Sequence, residues 1–598
     1  MAKQSAAESA ARSEEIVAIM SEIAAKSRAL VEEFLSRQNL LEAQNAAVNP
    51  NAIGSAFLEL TRQLMSNPFE LAQAQFELWQ DYLRLWQTTT QRLMGQEVEP
   101  VIVPERGDRR FKDPAWSDNV LFDFVKQSYL LASRFLTQTV SETQGLDPKT
   151  RQKVEFYTRQ FVDALAPTNF VLTNPEVLKT TLETRGENLL RGLKNMLEDL
   201  ERGRGRLAIK MTDYEAFEVG RNIATTPGKV VYQNELMQLI QYEPATAEVY
   251  KRPLLIVPPW INKYYILDLQ PQNSFIKFCV DQGFTTFVIS WVNPDERLAH
   301  KGFDDYLLEG PIAAMDAMRR ATGEKELTAI GYCLGGTLMA STLAWMKAKK
   351  DRRVAAVTFF TTLVDFKEPG ELGVFIDEEQ LAALEEIMAR RGYLDGAEMA
   401  TTFNLLRAND LIWSFVVNNY LMGKEPFPFD LLYWNSDSTR MPAAMHSFYL
   451  RKFYHENKLV EPGGVCLAGV PIDLRTIDTP AYIVATREDH IAPWKSTYAA
   501  TQLYRGEKRF VLAGSGHIAG IVNPPASGKY GYWTNDELPP DPDAWLAGAT
   551  QHKGSWWNDW ANWNAARSGP KVPARRPGEG ELPVIEDAPG SYVKVKAV

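Results

Sequence analysis

The chain has 598 residues but only three cysteines and six histidines. The cysteines, Cys279, Cys333 and Cys466, are far apart, odd in number and without a C-x-x-C pair. A disulfide framework or a zinc site is therefore not expected. Cysteine usage of this kind favours the reducing cytoplasm as the protein's compartment.

The sequence also gives no sign of an excess of basic residues, a membrane-spanning segment or a secretory signal. Lys and Arg number 65 against 75 Asp and Glu, a net charge of -10, so nothing in the balance supports nucleic-acid binding. No run of about 18 apolar residues is present, so no transmembrane helix is expected. The N-terminal stretch MAKQSAAESAARSEEIV has no continuous apolar core, and we do not interpret it as a secretory signal. Aromatic residues, in contrast, make up 11% of the chain and include 15 Trp, which indicates that part of the protein handles apolar surface.

Residues 1–209 are predicted to form an all-helical domain, with residues 1–50 as a loose or partly disordered helix. Asn67-Pro68 is a good helix start. An apolar stripe follows it at spacings of three, four and seven, formed by Phe69, Ala72, Phe76, Trp79, Leu83, Trp86 and Leu93. Such a stripe either packs on the chain's own core, the more common arrangement, or meets a partner or an apolar particle. Further helices are predicted over 120–139, 149–165 and 176–200, and residues 202–206 resemble a linker.

From residue 210 to 598 the pattern changes to alternating strands and helices. Short β-rich runs occupy 229–232, 253–258, 285–291, 327–330, 354–359, 481–486 and 510–513. This alternation predicts a mostly parallel sheet covered on both faces. The strand pattern fails over about 366–475, which we interpret as an aromatic-rich helical cap over the sheet. A Trp-rich C-terminal segment follows from about 533, and its Pro/Gly/charged tail is expected to be flexible in part.

Cys333 lies in the frame Gly331-Tyr-Cys-Leu-Gly335, a G-x-C-x-G between a predicted strand and a predicted helix over 334–346. In α/β-hydrolases the corresponding strand-to-helix turn carries a serine as G-x-S-x-G. A buried structural cysteine is the alternative, and it is the usual fate of a free thiol.

A nucleophilic cysteine needs a base and an orienting carboxylate, which in this fold follow in the order acid, then histidine. Asp489 comes directly after the strand 481–486, and His517 lies in a glycine-flanked loop after the strand 510–513. Cys333, Asp489 and His517 are therefore predicted to form a catalytic triad. Glu488 and His490 are rivals for the acid and base roles, and His490 is also a candidate to line the site.

A thiol suits a thioester substrate because thioester exchange keeps the acyl group activated for a second nucleophile, as a transferase requires. The helix that begins at Leu334 places its positive end beside the sulfur, so we expect the thiolate to be accessible near neutral pH. The backbone N–H of Leu334 is one expected oxyanion donor. A second donor is expected from the loop Pro259-Trp-Ile-Asn-Lys263, with Trp260 and Ile261 beside the substrate. The cap would exclude water from the acyl-enzyme.

Several motifs between about residues 100 and 565 resemble the polyhydroxyalkanoate synthases. They are Arg110-Phe-Lys-Asp-Pro-Ala-Trp116, Val257-Pro-Pro-Trp-Ile-Asn-Lys-Tyr-Tyr-Ile-Leu-Asp268, Gly331-Tyr-Cys-Leu-Gly-Gly336, Thr486-Arg-Glu-Asp-His490, Ser515-Gly-His-Ile-Ala-Gly520 with Asn523-Pro-Pro525, and Gly554-Ser-Trp-Trp557. The long helical N-terminal region resembles the single-subunit class I enzymes. One departure is Trp260, where a smaller residue such as Cys stands in some relatives, and Trp260 is expected to narrow or reshape the entrance.

The resemblance implies an α/β-hydrolase fold catalytic domain with a helical cap, preceded by the helical domain. It implies Cys333 as nucleophile, His517 as base and Asp489 as the carboxylate that either helps His517 or activates the chain-end hydroxyl. It also implies a supportive Asp268 and a cap aromatic near the site, Trp434.

The implied function is polymerisation of (R)-3-hydroxyacyl-CoA, chiefly 3-hydroxybutyryl-CoA, into polyester with release of coenzyme A, and no cofactor or metal. The expected partners are a second copy in a homodimer, the polyester granule surface and granule-coat proteins, in the cytoplasm. Two alternatives remain: a cysteine-dependent thioesterase or hydrolase of the same fold, and a non-enzymatic granule-coat protein.

Overall fold

The computed structural model describes residues 50–597, and the chain divides into two compact units. The first unit runs to Asp213 and also contains Thr402–Phe427, whereas the second comprises Tyr214–Thr401 and Pro428–Val598. The first boundary lies a few residues beyond the expected one at 209/210. The expectation of a loose helix over residues 1–50 lies outside the described residues except for Pro50, where the first helix begins.

The first unit is helical. Its helices are Pro50–Ser66, Pro68–Leu93, Ala115–Asp118, Val120–Glu142, Pro148–Ala164, Pro175–Glu183 and Glu187–Arg202. The side chains of Asp147 and Asn174 accept hydrogen bonds from first-turn backbone N–H groups, and each is followed by a proline that fits the first turn. The single helix predicted over 176–200 is wrong. The chain breaks at Arg185 and Gly186, which both have positive φ and cannot continue a right-handed helix.

The aromatic stripe of Pro68–Leu93 is exposed, so the expectation that it packs on the chain's own core is wrong. The exposed fractions of Phe69, Trp79 and Trp86 are 79%, 57% and 65%. The helix buries a different side through Asp81 and Leu85, and the Asp81 carboxylate pairs with Arg134 of Val120–Glu142. The name exposed aromatic face is used below for Phe69, Phe76, Trp79, Leu83 and Trp86.

Residues 402–427 pack on the helix Glu187–Arg202 within the first unit, so the predicted continuous cap over 366–475 is wrong in this part. A Cβ added to Gly192 would lie 1.7 Å from the carbonyl oxygen of Tyr420, which shows how closely the two segments approach. The Tyr420 hydroxyl donates to Asp199 (2.6 Å), and the Asn188 amide donates to the Leu421 carbonyl (2.7 Å). Gly192 in mid-helix is the sequence feature that permits this contact.

An eleven-stranded sheet forms the centre of the second unit. In chain order its strands are β1 Gly228–Gln233, β2 Met237–Tyr242, β3 Leu254–Val257, β4 Thr286–Trp291, β5 Leu327–Tyr332, β6 Val354–Phe360, β7 Ala481–Thr486, β8 Lys508–Ala513, β9 Gly531–Thr534, β10 Thr550–Lys553 and β11 Glu586–Asp587. The spatial order is β10-β9-β8-β7-β6-β5-β3-β4-β2-β1-β11.

Six neighbouring strands, β8-β7-β6-β5-β3-β4, run parallel and are flanked by antiparallel strands on both sides. Every residue of β4, β5 and β7 is buried, as expected for parallel strands covered on both faces. The predicted parallel sheet is therefore confirmed. The antiparallel strands β2, β9, β10 and β11 were not predicted.

Helices and short segments cover the two faces of the sheet. The helices are Phe275–Asp281, Phe303–Leu307, Ala313–Thr322, Leu334–Ala348, Glu378–Arg391, Asp430–Ser436, Ala443–Phe448, Trp494–Tyr498, Ala500–Leu503, Pro542–Ala547 and Trp557–Ala565. A further helix, Gly396–Leu406, begins in the second unit and ends in the first. Cys333 packs against the buried clusters on both faces, at the point where β5 ends. None of the helices among residues 50–597 has the length and apolarity needed to cross a membrane.

The C-terminal segment belongs to the second unit. The indole rings of Trp545, Trp556, Trp557 and Trp560 are fully buried. The tail, which we expected to be flexible in part, instead adds β11 to the edge strand β1. It continues past the side chain of Gln238, which donates to the Ser591 hydroxyl and accepts from the Tyr592 backbone N–H.

Candidate active site

Cys333 occupies a sharp turn between β5 and the helix Leu334–Ala348. Its backbone angles, φ 52° and ψ -117°, lie in a region that costs a non-glycine residue free energy and that concentrates at functional sites. The turn is held because the Cys333 N–H donates to the Phe360 carbonyl of β6 (2.9 Å). A Cβ on Gly335 would lie 2.1 Å from the Val257 carbonyl oxygen, so the helix can start here only with glycine at this position.

His517 and Asp489 come from the loops after β8 and β7, which neighbour each other in the sheet. The Nδ1 atom of His517 lies 2.7 Å from Oδ2 of Asp489. The same oxygen accepts from the Thr486 hydroxyl (3.1 Å), and Oδ1 accepts from the backbone N–H groups of Ile491 and Ala492 (2.9 and 2.8 Å). Because its side chain has no exposed surface, the Asp489 carboxylate is fixed and is directed at His517.

The charges around His517 favour its protonated form. Burial by itself lowers the pKa of this imidazole, but the charges of Asp489 and Cys333 and hydrogen bonds to both side chains raise it to about 10. The His517 imidazole beside Cys333 is therefore protonated at neutral pH. A protonated imidazole of this kind favours the ionised form of a neighbouring thiol, the form that acts as a nucleophile.

Aromatic side chains surround this pair. The Tyr332 ring stacks on His517 with centroids 5.9 Å apart. A second group of rings, Phe366, Tyr449, Phe453 and Tyr454, pack on one another, and we name this group the aromatic wall. Burial first, and a charge on Cys333 among other neighbours, raises the pKa of Tyr449 and Tyr454, which indicates that both phenols lie near the Cys333 sulfur. The sequence predicts an aromatic-rich cap over about 366–475, but the π-helical and loop positions of these four side chains carry no periodic signal that would place them beside Cys333.

Backbone N–H groups beside Cys333 can stabilise an oxyanion. Leu334 is the first residue of its helix, where N–H groups have no intrahelical partner. The segment after β3, Pro258–Lys263, is named the oxyanion loop here after the donor role expected from the sequence. The Val257 and Pro258 carbonyls at its start lie against Gly335, in the first turn of the same helix. The loop that sequence reasoning singled out is therefore adjacent to the nucleophile.

Comparison with known proteins identifies the family. The family model described as "Poly-beta-hydroxybutyrate polymerase (PhaC) N-terminus" matches residues 107–279, and an alpha/beta hydrolase fold model matches residues 252–524. The "Poly(3-hydroxyalkanoate) polymerase" of Methylorubrum extorquens is 52% identical over 547 residues, 90% of each chain. The chain belongs to the poly(3-hydroxyalkanoate) polymerases.

Two further relatives carry the name "Poly(3-hydroxyalkanoate) polymerase subunit PhaC". The protein of Rhizobium meliloti is 50% identical and covers 89% of this chain and 87% of its own. The protein of Cupriavidus necator is 46% identical and covers 89% of each chain. The predicted family, the hydrolase fold and the acyltransferase class are thus confirmed. The comparisons favour the polymerase over the thioesterase and the granule-coat protein.

Two predicted lining residues of this polymerase lie in or beside the core. The Trp260 indole is buried among Trp291, Phe303, Tyr306 and Tyr449, so its side chain fills the core behind the oxyanion loop and does not narrow an entrance. Its neighbour Ile261 is half-buried against the same cluster. The Trp260 ring contacts the Tyr449 ring and thereby connects the oxyanion loop with the aromatic wall.

Trp434 contacts the oxyanion loop, whereas the residues that hydrogen-bond the Asp268 side chain lie outside that loop. The Trp434 indole N–H donates to the Lys263 carbonyl (2.7 Å) at the end of the oxyanion loop. Asp268 is buried and accepts from the hydroxyls of Thr226 and Ser274 (2.6 Å each). Burial raises the pKa of Asp268, and these hydrogen bonds oppose that shift.

The two rivals of the triad, Glu488 and His490, flank Asp489 in the chain. Glu488 is exposed, and its backbone N–H donates to the Ser515 carbonyl. His490 is half-buried beside Asp489, and its carbonyl accepts from the Glu371 N–H (3.3 Å). No group of three or more His, Cys, Asp or Glu side chains among residues 50–597 is arranged to hold a metal ion. The expectation that no cofactor is needed remains a prediction.

Proposed function

We propose that this polymerase joins (R)-3-hydroxyacyl units, chiefly 3-hydroxybutyryl units, from their coenzyme A thioesters through an acyl-enzyme on Cys333. The observation that carries the proposal is the chain of contacts from the half-buried Cys333, at the strained turn after β5, to the buried side chains of His517 and Asp489. The aromatic wall over it supports transfer to an alcohol in preference to water.

In the first step the Cys333 thiolate attacks the thioester carbonyl. The oxyanion is stabilised by the Leu334 N–H and by the oxyanion loop. The bond from carbon to the sulfur of coenzyme A breaks, and the leaving thiolate takes the proton of the His517 imidazolium. The products are free coenzyme A, an acyl thioester on Cys333 and a neutral imidazole.

In the second step the hydroxyl of another acyl unit attacks the Cys333 thioester. Neutral His517 accepts the hydroxyl proton, an ester bond forms, and the Cys333 thiolate leaves. The thiolate and imidazolium pair is thereby restored. Acylation removes the Cys333 charge, one of the causes that raise the pKa of His517. The neutral imidazole that the second step needs is therefore more populated in the acyl-enzyme. Each step uses only these protons and electron pairs, so the proposed chemistry needs no cofactor.

Asp489 acts in this scheme by orienting and charging His517. Its two oxygens already accept from His517, Thr486 and two backbone N–H groups, and its side chain is fully buried. Direct activation of a chain-end hydroxyl would need an accessible carboxylate oxygen. The geometry supports the orienting role, as in other triads.

The test is incubation of the purified chain with (R)-3-hydroxybutyryl-CoA while free coenzyme A, free acid and insoluble polyester are followed together. Polyester that accounts for the released coenzyme A supports the proposal. Stoichiometric free acid without turbidity would indicate a thioesterase, and no coenzyme A release would indicate a coat protein. A matched series with longer 3-hydroxyacyl chains tests the short-chain preference.

For the partners, we propose that the exposed aromatic face contacts the surface of the polyester granule. The supporting observation is that large apolar rings stay exposed on a long helix, and such rings contribute much of the free energy of apolar contacts. Sedimentation of the chain with purified polyester tests this contact. Protection of the face in a polyester-free homodimer, or only by an added coat protein, would assign the face to that other partner.

A further inference from the structure

The last residues of the chain run beside the oxyanion loop. The tail is first attached to the sheet, through β11 on β1 and through the Tyr592 hydroxyl, which donates to the Asn234 carbonyl (2.7 Å). It then reaches the buried end of the oxyanion loop at residues 593–597. Nothing in the triad chemistry described above uses this segment.

Lys263, the last residue of the oxyanion loop, makes the contact. Only 3% of its surface is exposed. Its ammonium donates to the carbonyls of Val593 (2.9 Å) and Val595 (2.5 Å). Asp437 is the nearest opposite charge, and Lys596 and Arg440 are the neighbouring like charges. Burial lowers the pKa of Lys263 to about 8. A buried ammonium is costly unless it is hydrogen-bonded, and the tail carbonyls are the acceptors that replace water.

The rest of the oxyanion loop is held through its carbonyl oxygens. Trp291 donates to the Pro258 carbonyl (2.8 Å), and the Thr439 hydroxyl donates to the Trp260 carbonyl (2.5 Å). Asn262 forms an antiparallel bridge with Ser438. Most of these contacts come from the 434–440 segment and from β4. The tail adds a contact at the one charged side chain of the loop.

Asn293 links the tail to that framework. Its side-chain amide donates to the Val595 carbonyl (3.2 Å), and its oxygen accepts from the Arg440 N–H (3.0 Å). The Val595 carbonyl oxygen therefore accepts from two donors, Lys263 of the loop and Asn293, two residues after the end of β4. Because Asn293 binds both the Val595 carbonyl and the Arg440 backbone N–H, it holds the tail in place beside Lys263.

We propose that Lys263 is a positioning residue of the polymerase, and that the tail carbonyls of Val593 and Val595 hold it so that the oxyanion loop keeps its place beside Cys333. The inference rests on the proposed acyl-enzyme mechanism. Loss of the tail or of Lys263 should leave substrate binding intact and slow acylation. Displacements of about 1 Å in such a site can cost about 10²-fold in rate.

The experiment measures acylation of Cys333 in a single turnover, by coenzyme A release and intact mass, over a range of (R)-3-hydroxybutyryl-CoA concentrations. The variants are Lys263→Met, a chain that ends at Tyr592, and the two combined. Ending at Tyr592 keeps β11 and the contact with Gln238. Lys229→Met is the matched control, because Lys229 pairs with the tail at Asp587 on the exposed edge strand and does not touch the loop.

We expect Lys263→Met and the shortened chain each to lower the acylation rate constant by about 10-fold to 10²-fold, with an unchanged half-saturating substrate concentration. The combined variant should be no slower than the slower single variant, because both changes remove the same contact. Lys229→Met should acylate like the wild type. Asn293→Ala should give a smaller loss in the same rate constant.

Three results would overturn the inference. They are wild-type acylation by Lys263→Met, multiplicative losses in the combined variant, and an equal loss in Lys229→Met. If the shortened chain does not fold, Lys263→Met and Asn293→Ala decide the question. A wild-type chain that forms no acyl-enzyme would instead contradict the proposed function, so the two failures are distinguishable.

Discussion

The aromatic wall and the exposed aromatic face contain the same classes of side chain in opposite surroundings. In the wall Phe453 is fully buried, and its ring packs edge-on against Tyr449 (5.6 Å). On the face Phe76 and Trp79 stack on each other (6.0 Å) but remain more than half exposed. Apolar content therefore does not reveal which region encloses chemistry. The wall is identified by Cys333 and the protonated His517 beside it, whereas the exposed aromatic face consists only of apolar side chains.

The largest expected effect is at the nucleophile. Cys333→Ala should lower coenzyme A release by at least about 10⁴-fold, and the fold should persist because the side chain is small. Residual release is measured with the purified variant, and folding by its thermal transition. Iodoacetamide should label Cys333 faster than the exposed Cys466 at pH 6.5, since only the thiolate reacts. Near wild-type release by Cys333→Ala would falsify the mechanism.

The next largest effects are expected at His517 and Asp489, and they distinguish the roles of these two residues. His517→Gln should lose acylation. Asp489→Asn should lower acylation and elongation together, by about 10³-fold to 10⁴-fold, because the amide no longer charges or orients the imidazole. Intact mass and coenzyme A release measure both steps. A normal acylation rate with a stalled short acyl-enzyme would instead show that Asp489 activates the hydroxyl directly.

A matched pair of substitutions compares the two aromatic regions. Phe453→Ala should reduce the free energy of unfolding by about 3–5 kcal/mol, because it leaves a cavity. It should also raise the share of free acid among the products as water enters. Phe76→Ala should change stability by less than about 0.5 kcal/mol and leave the products unchanged. Urea unfolding and product analysis check both. Equal stability losses would remove the distinction drawn between the regions.

A change of pH should affect the aromatic wall and the exposed aromatic face differently, because the titratable His517 lies near the wall. The pKa of His517 is about 10 in the folded chain against an ordinary value of 6.5. Its stabilising contribution is thus complete below about pH 6.5 and is lost as the pH rises through 10. The difference in unfolding free energy between wild type and His517→Gln should shrink over that window. His446, whose pKa burial lowers to about 4, titrates below it. A difference that stays constant from pH 6.5 to 10 would contradict the ion pair.

The smallest effect on chemistry is expected on the exposed aromatic face. Replacing Phe76, Trp79 and Trp86 together by Ser should leave Cys333 acylation within about twofold, since exposed substitutions away from the site change little. Binding to polyester particles should fall and the lag before polymerisation should lengthen. Sedimentation with particles and the time course of turbidity measure the two effects. Unchanged binding would assign granule contact to another surface.

Most of the proposed catalytic centre could be predicted from the short strands and turn residues in the sequence. Cys333, Asp489 and His517 each follow a short apolar strand, and parallel strands bring such loops to one edge of the sheet. The glycines around Cys333 signalled a close approach of backbone segments. Missed elements were those without local periodicity, such as the edge strand β11 and the π-helical segment with Tyr449. The split of the insertion depended on Gly192, whose contact partner is more than 200 residues away.

The sequence by itself determined the parallel sheet, the order nucleophile, acid, base, and the presence of two aromatic-rich regions. Local apolar patterns and turn residues specify these features, because they depend on neighbours within one element. Only the tertiary structure decided which aromatic residues are buried, that Trp260 belongs to the core, and that the tail reaches Lys263. Those outcomes depend on contacts between segments far apart in the chain. The residues around a helix face or around a single lysine do not indicate which distant segment will contact it.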